Sequence, residues 1–119
     1  MAPILRTLAL GLLLGGCARE PSGETFSSFQ LQDVELELRA VSGWAFGSHT
    51  VHFYEVSSGA RRHLGSAELA NDGAVVDGRN ASLAALDRGR WELTLTGEED
   101  QDQRWLIERT GPSLSIRRR

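Results

Sequence analysis

An alternation of apolar and polar side chains with a period of two constrains the fold of this chain more than any other feature. From Val34 to Ala40, every second residue is apolar and the residues between are charged. The same pattern runs from Trp91 to Leu95, directly after the turn residues 87–89. An extended chain with this pattern has one apolar and one polar face, which is typical of a half-buried β-strand.

Further short strands are predicted at intervals of eight to twelve residues. Phe29 and Leu31 are out of phase with Val34, so we expect a bulge or break near Gln32 and Asp33. Turns are predicted at residues 71–73 and 111–112, which combine Asn, Asp, Gly and Pro. The remaining strands are predicted at Thr50–Val56, His63–Leu69, Ala74–Val76, Ser82–Leu86 (or a helical turn there), Gln103–Thr110 and around Leu114 and Ile116. This spacing predicts an antiparallel all-β sandwich or small barrel.

The apolar positions of these strands predict the core. Trp91 is the first large residue after a turn, and a fully buried Trp91 would make Trp91→Ala cost about 3–5 kcal/mol. The predicted core residues are Val34, Leu36, Leu38, Val51, Phe53, Leu64, Val75, Leu86, Trp91, Leu93, Leu95, Trp105 and Ile107.

The N-terminus carries the only cysteine, in Leu14-Gly15-Gly16-Cys17 after a short apolar run. This motif resembles the lipobox of bacterial lipoproteins. The resemblance implies a signal peptide at 1–16, removed before Cys17, and acyl chains such as palmitate on Cys17. Ala18, rather than aspartate, after the cysteine then implies the outer membrane, facing the periplasm. An ordinary secretory signal, or an apolar N-terminus without function, is the alternative.

Residues 17–28 are polar and include Pro21, Gly23 and three serines. This composition predicts a flexible tether from the lipidated cysteine to a β-sandwich domain at 29–119. Within that domain, the stretch from Asn71 to Leu95 resembles the final hairpin of small periplasmic immunoglobulin-like sandwiches of the FixH and YtkA type. The shared pattern is leucine, turn, glycine, aromatic, any residue, leucine, here Leu86 to Leu93. The resemblance implies an immunoglobulin-like β-sandwich.

Charge and composition limit the function. The chain has 13 basic and 16 acidic residues, and all the basic ones are arginine. A net charge of −3 argues against a nucleic-acid partner, and the absence of lysine excludes a lysine nucleophile. No catalytic motif is present. We therefore expect a lipid-anchored binding or assembly module without catalysis or cofactor. The alternative is a cell-wall-related enzyme or enzyme inhibitor.

The segment Ser42–Gly47 is the candidate interaction site, because it places Trp44 and Phe46 between glycines. Exposed aromatic side chains are favoured binding anchors, so these two predict contact with an envelope protein or a small ligand. An equally weighted alternative is that Trp44 or Phe46 covers one end of the sandwich.

Three other groups have weaker candidate roles. His49 and His52 point to opposite faces if both lie in a strand, so we expect no metal site unless His49 lies in a loop near Glu55 or Asp72. His63 is the third histidine. The acidic run Glu98–Asp102 is predicted to be a solvated loop rather than a calcium site. The terminal arginines 117–119 are predicted to be a solvated tail.

Overall fold

The structure, a computed structural model, describes residues 21–42, 48–70, 75–98 and 102–119. Two antiparallel sheets of four strands pack face to face as a small sandwich. A 3-10 helix, Gly78–Asn80, precedes the second sheet. The first sheet contains β1 (Glu24–Leu31), β2 (Val34–Ser42), β3 (Ser48–Ser57) and β4 (Ala60–Ala70). The second contains β5 (Ala81–Asp87), β6 (Arg90–Thr96), β7 (Asp102–Thr110) and β8 (Ser113–Arg118).

The strand order in each sheet follows the order of the chain. Each sheet is therefore a meander of consecutive hairpins, and the chain passes from one sheet to the other once, between β4 and β5. Immunoglobulin domains instead exchange strands between their sheets through Greek-key connections. The predicted all-β antiparallel sandwich is confirmed, and its connectivity is two successive meanders.

The core lies between the inner faces of the two sheets, where the predicted alternation is most regular. Leu36, Leu38, Val51 and Phe53 from the first sheet are fully buried. From the second sheet the fully buried residues are Leu93, Leu95 and Ile107. Phe53 also contacts the ring of Trp105 across the sandwich, with 5.1 Å between ring centroids. Leu64, Trp91 and Trp105 are only partly buried against this core.

For two of the predicted core residues, the prediction of burial is wrong. Val75 is 81% exposed, because residues 75–77 form no strand and lead into the 3-10 helix. Leu86 is 42% exposed, because it lies near the end of β5, an edge strand whose side chains are mostly exposed. Trp91, predicted to be a core residue as the first large side chain after the turn, is only half-buried, and Leu93 and Leu95 are the fully buried residues of β6.

The first strand begins at Glu24, inside the segment whose composition predicts a tether. It pairs with β2 along its length, with a register irregularity between Thr25 and Ser27 that breaks the alternation. The expected break at Gln32 and Asp33 is a two-residue hairpin turn, in which Gln32 adopts a φ of 62°. A turn between two strands explains why Phe29 and Leu31 are out of phase with Val34.

Polar side chains also join the two sheets. Leu114 lies in β8, at the edge of the second sheet, and its backbone N–H donates to Glu55 Oε1 at 2.7 Å. Arg62 donates to the carbonyl oxygen of Leu114 at 2.9 Å and to Glu55 at the same distance. Glu55 and Arg62 thus satisfy backbone groups that an edge strand would leave unpaired. Near the β1–β2 turn, Arg109 of the second sheet pairs with Asp33.

Candidate functional site

A cleft of about 460 Å³ opens at the end of the sandwich where β1 begins and β2 ends. We call it the His49 cleft, after the buried histidine in its wall. Its volume lies within the range of small-molecule sites, roughly 300–1,000 Å³. The lining is mixed apolar and polar, from Gly23, Glu24, Thr25, Phe26, Ala40, Val41, Ser42, His49, Val75 and Val76.

His49 is the unusual residue of this cleft. It lies on the inner face of β3, in line with Val51 and Phe53, and is only 5% exposed. Its Nε2 atom is buried and has no hydrogen-bond partner among the described residues. Leaving a buried polar group without a partner costs about 1–3 kcal/mol. Natural proteins rarely retain this cost unless water or a ligand supplies the missing bond.

The chain entering β1 forms a fixed wall of the His49 cleft. Gly23 has a φ of 76° and lies so close to β2 that a Cβ atom would overlap the carbonyl of Ala40. Arg39 donates to the carbonyl oxygens of Ser22, at 3.2 Å, and Gly23, at 2.6 Å. Because glycine is required and an arginine holds both neighbouring carbonyls, this wall is formed before any ligand binds.

The outer face of the first sheet carries a buried carboxylate network centred on Glu37, which is 6% exposed. Arg61 and Arg39 pair with Glu37 at 2.7 and 3.1 Å, and Thr25 donates to it at 2.6 Å. Burial by itself raises the pKa of Glu37, but the hydrogen bonds from Arg61 and Thr25 outweigh it and hold the pKa below its usual value. Glu37 is therefore an ionised structural group.

Next to this network, His52 and His63 contact each other across β3 and β4. His52 Nδ1 lies 3.0 Å from His63 Nε2, so one ring donates a hydrogen bond to the other. Tyr54 packs edge-on against His63, with 5.1 Å between ring centroids. Burial and the neighbouring His63 lower the pKa of His52, against an opposing effect of Glu68.

Only some of the predicted candidates lie within the described residues. Cys17, Trp44 and Phe46 lie outside the described residues, as do Asp72 and residues 99–101 of the acidic run. His49 and His52 do lie in one strand, and their side chains are on opposite faces as expected. Within the described ranges, no three or more His, Cys, Asp or Glu side chains converge as metal ligands.

Sequence reasoning missed both the His49 cleft and the contact between His52 and His63. The cleft combines four separate parts of the chain, and no local pattern indicates which strand ends meet. The histidine contact depends on an irregular register between β3 and β4. The one available signal for the cleft was His49 itself, a polar residue at an inward position of an otherwise apolar alternation.

Across the described residues, no helix has the length and hydropathy to cross a membrane. Comparison with protein-family models, curated proteins and solved structures finds no significant match.

Proposed function

We propose that this protein is a non-catalytic binding module of the cell envelope, whose ligand site is the His49 cleft. The observation that carries the proposal is the buried Nε2 of His49, which lacks a partner among the described residues. A neutral imidazole nitrogen can donate or accept a hydrogen bond, depending on the tautomer. The matching ligand is a small apolar molecule with one hydroxyl or similar polar group.

The lining of the His49 cleft favours such a ligand. Phe26, Val41 and Val76 are apolar residues of the lining, and His49 is a polar one. Burying apolar ligand surface supplies affinity, and the bond to Nε2 selects ligands with a polar group in the right place.

Trp44 and Phe46 belong to this proposal through their position in the sequence. The segment 43–47 follows Ser42, which lines the cleft, and ends two residues before His49. We infer that one or both aromatic side chains contact the bound ligand. The predicted interaction segment and the His49 cleft would then form one site.

The two buried glutamates, Glu37 and Glu55, do not have the pKa shift of a general acid. Glu55, like Glu37, is buried, and burial alone would raise its pKa. Hydrogen bonds from the Leu114 backbone and from Arg62 outweigh burial and leave the pKa lowered. A general acid at neutral pH needs the opposite shift. Both glutamates therefore form structural ion pairs.

Phenol and toluene are matched probes for the His49 cleft, because they differ only in the presence of a hydroxyl or a methyl group. Phenol is expected to shift NMR resonances of cleft residues and to bind more tightly than toluene. His49→Leu should remove the preference for phenol, and Trp44→Ala with Phe46→Ala should weaken binding of both probes. Changes scattered over the surface, or an unchanged preference in His49→Leu, would refute the cleft as the site.

The lipid anchor is a separate part of the proposal. Acyl chains on Cys17 would hold the module at the outer membrane, facing the periplasm, since each buried methylene adds about 0.8 kcal/mol of membrane affinity. Intact-mass measurement of protein purified from its native membrane should give a chain that begins at Cys17 and carries lipid. A native chain that begins at Met1, or one without lipid mass, contradicts the anchor but leaves the cleft proposal standing.

A further inference from the structure

A β-bulge brings His52 and His63 together. Along β3 and β4, His52 pairs with Ser66 and Phe53 with Gly65, but Tyr54 pairs with His63, which leaves Leu64 as an extra residue. In an uninterrupted register, His63 would lie opposite Glu55 and face the core. The bulge moves His63 to the outer face, on the same side as His52 and Tyr54. Bulges commonly redirect side chains in this way next to functional sites.

The geometry points to a transition-metal site formed by His52 Nδ1 and His63 Nε2, with Cu²⁺ as the preferred ion. Imidazole nitrogens bind first-row ions at about 2.0–2.1 Å. Two nitrogens 3.0 Å apart therefore subtend about 95° at a shared ion. This angle is close to the right angle of tetragonal coordination, which Cu²⁺ and Ni²⁺ prefer, and Cu²⁺ binds such ligands most strongly.

The two rings need only a small rearrangement to bind an ion. Both lie on the solvent side of the first sheet, and the pair is solvent-accessible. Rotating the two rings breaks their mutual hydrogen bond and turns the lone pairs of His52 Nδ1 and His63 Nε2 toward one ion. The backbones of both residues stay in place, because β3 and β4 remain paired. With two protein ligands, the remaining coordination positions are open to water.

The surrounding charges tolerate a cation. Arg39 lies opposite His52 in the register, but its guanidinium is paired with Glu37 and two backbone carbonyls. Arg61, on the same face, is also paired with Glu37. Glu68 supplies a negative charge that acts on His52. Tyr54, a further titratable neighbour, is in ring contact with both histidines.

Metal ions compete with protons for imidazole nitrogens, because only an unprotonated nitrogen can coordinate an ion. Cu²⁺ binding to this site should therefore weaken as the solution is acidified.

The test is calorimetric titration of Cu²⁺ into the tag-free, full-length chain in detergent, with paramagnetic resonance to count bound nitrogens. We expect one ion per chain and two equivalent nitrogen ligands. His63→Ala and His52→Ala should each weaken binding by at least about tenfold. His49→Leu removes the histidine on the other face and should leave Cu²⁺ binding unchanged. Circular dichroism confirms that each variant is folded.

A gain-of-function variant keeps the test decisive even if an alanine variant unfolds. Ser66 lies directly opposite His52 on the same face, so Ser66→His adds a third imidazole within reach of the ion. We expect it to bind Cu²⁺ at least about tenfold more tightly than the unmodified chain. Absence of saturable binding below about 0.1 mM Cu²⁺, or equal affinity in His63→Ala, would overturn the proposal.

Discussion

Glu55 and His49 are two buried polar residues on the inner face of the same strand, and they differ in their partners. Glu55 accepts hydrogen bonds from the Leu114 backbone and from Arg62. His49 Nε2 has no partner within the part of the chain described. Glu55 therefore joins the sheets, whereas His49 is a site at which a bound molecule can add stability.

Glu55→Gln is expected to lower the free energy of unfolding by about 1–3 kcal/mol at pH 7, because it removes the charge from hydrogen bonds to Arg62 and Leu114. The folded pKa of Glu55 is lowered, so its contribution is fully present above the unfolded value of about 4.3. The contribution is lost as the pH falls through the folded pKa.

Urea unfolding of both proteins at pH 7 and at acidic pH checks this result. The difference in free energy between Glu55→Gln and the unmodified protein should narrow as the pH falls below about 4.3. Glu35→Gln, on the outer face, is the control and should change stability little. A difference that stays constant with pH would show that the carboxylate charge contributes nothing.

At the scale of strands, the two sheets are in close backbone contact where β4 and β6 end. Gly97 follows β6, and a Cβ atom there would overlap the carbonyl oxygen of Ala70 at the end of β4 and lie 3.0 Å from Leu69 Cδ1. Gln103 at the start of β7 donates to the carbonyl oxygen of Glu68. These contacts link the end of the first meander to the second sheet.

Gly97→Ala is accordingly expected to destabilise the protein by about 1–3 kcal/mol, because the added methyl group meets backbone that cannot move freely. Gly78→Ala is the matched control: its Cβ would lie 3.8 Å from the nearest atom, the Phe26 carbonyl oxygen, which is an ordinary contact. Thermal unfolding compares the two. Equal melting temperatures for both variants would contradict the close approach.

Strands can be predicted from the sequence where a strand buries one face in the core, because apolar and polar residues then alternate regularly. The alternation at Val34–Ala40 and Trp91–Leu95 reports burial on one side, and the structure places strands over both segments. The predictions of strand limits and of buried residues failed where contacts between distant parts of the chain decide them. Composition alone does not indicate that Glu24 pairs with β2, and an apolar side chain such as Leu86 stays exposed when it lies on an edge strand.

The candidate sites were less predictable than the strands, for a physical reason. A single extra residue, Leu64, reverses which face the preceding part of β4 presents. The contact of His52 with His63 follows from that slip and not from their spacing in the sequence. Similarly, the His49 cleft depends on how β1, β2, β3 and the segment at Val76 meet.

At the scale of the whole molecule, two meanders of consecutive hairpins share one core. Within each meander, every strand pairs with the strand that precedes or follows it in the sequence. The inner face of each meander is apolar. Phe53 and Trp105 contact each other across the sandwich, and Glu55 and Arg62 reach from the first sheet to Leu114 in the second. Neither sheet can bury its apolar face without the other.

The two meanders are therefore expected to unfold together in a single cooperative transition. Trp44→Phe with Trp91→Phe leaves Trp105 as the only tryptophan, and its fluorescence then reports the contact between the sheets. Its urea midpoint should coincide with that of far-ultraviolet circular dichroism, which reports the strands of both sheets. In the same background, Leu93→Ala should lower both midpoints together, by about 2–5 kcal/mol of unfolding free energy, because Leu93 is fully buried in the shared core. Separate transitions, or a midpoint shift in only one signal, would mean that each meander is stable alone, and the apolar face between them would then be a docking surface and not an obligatory core.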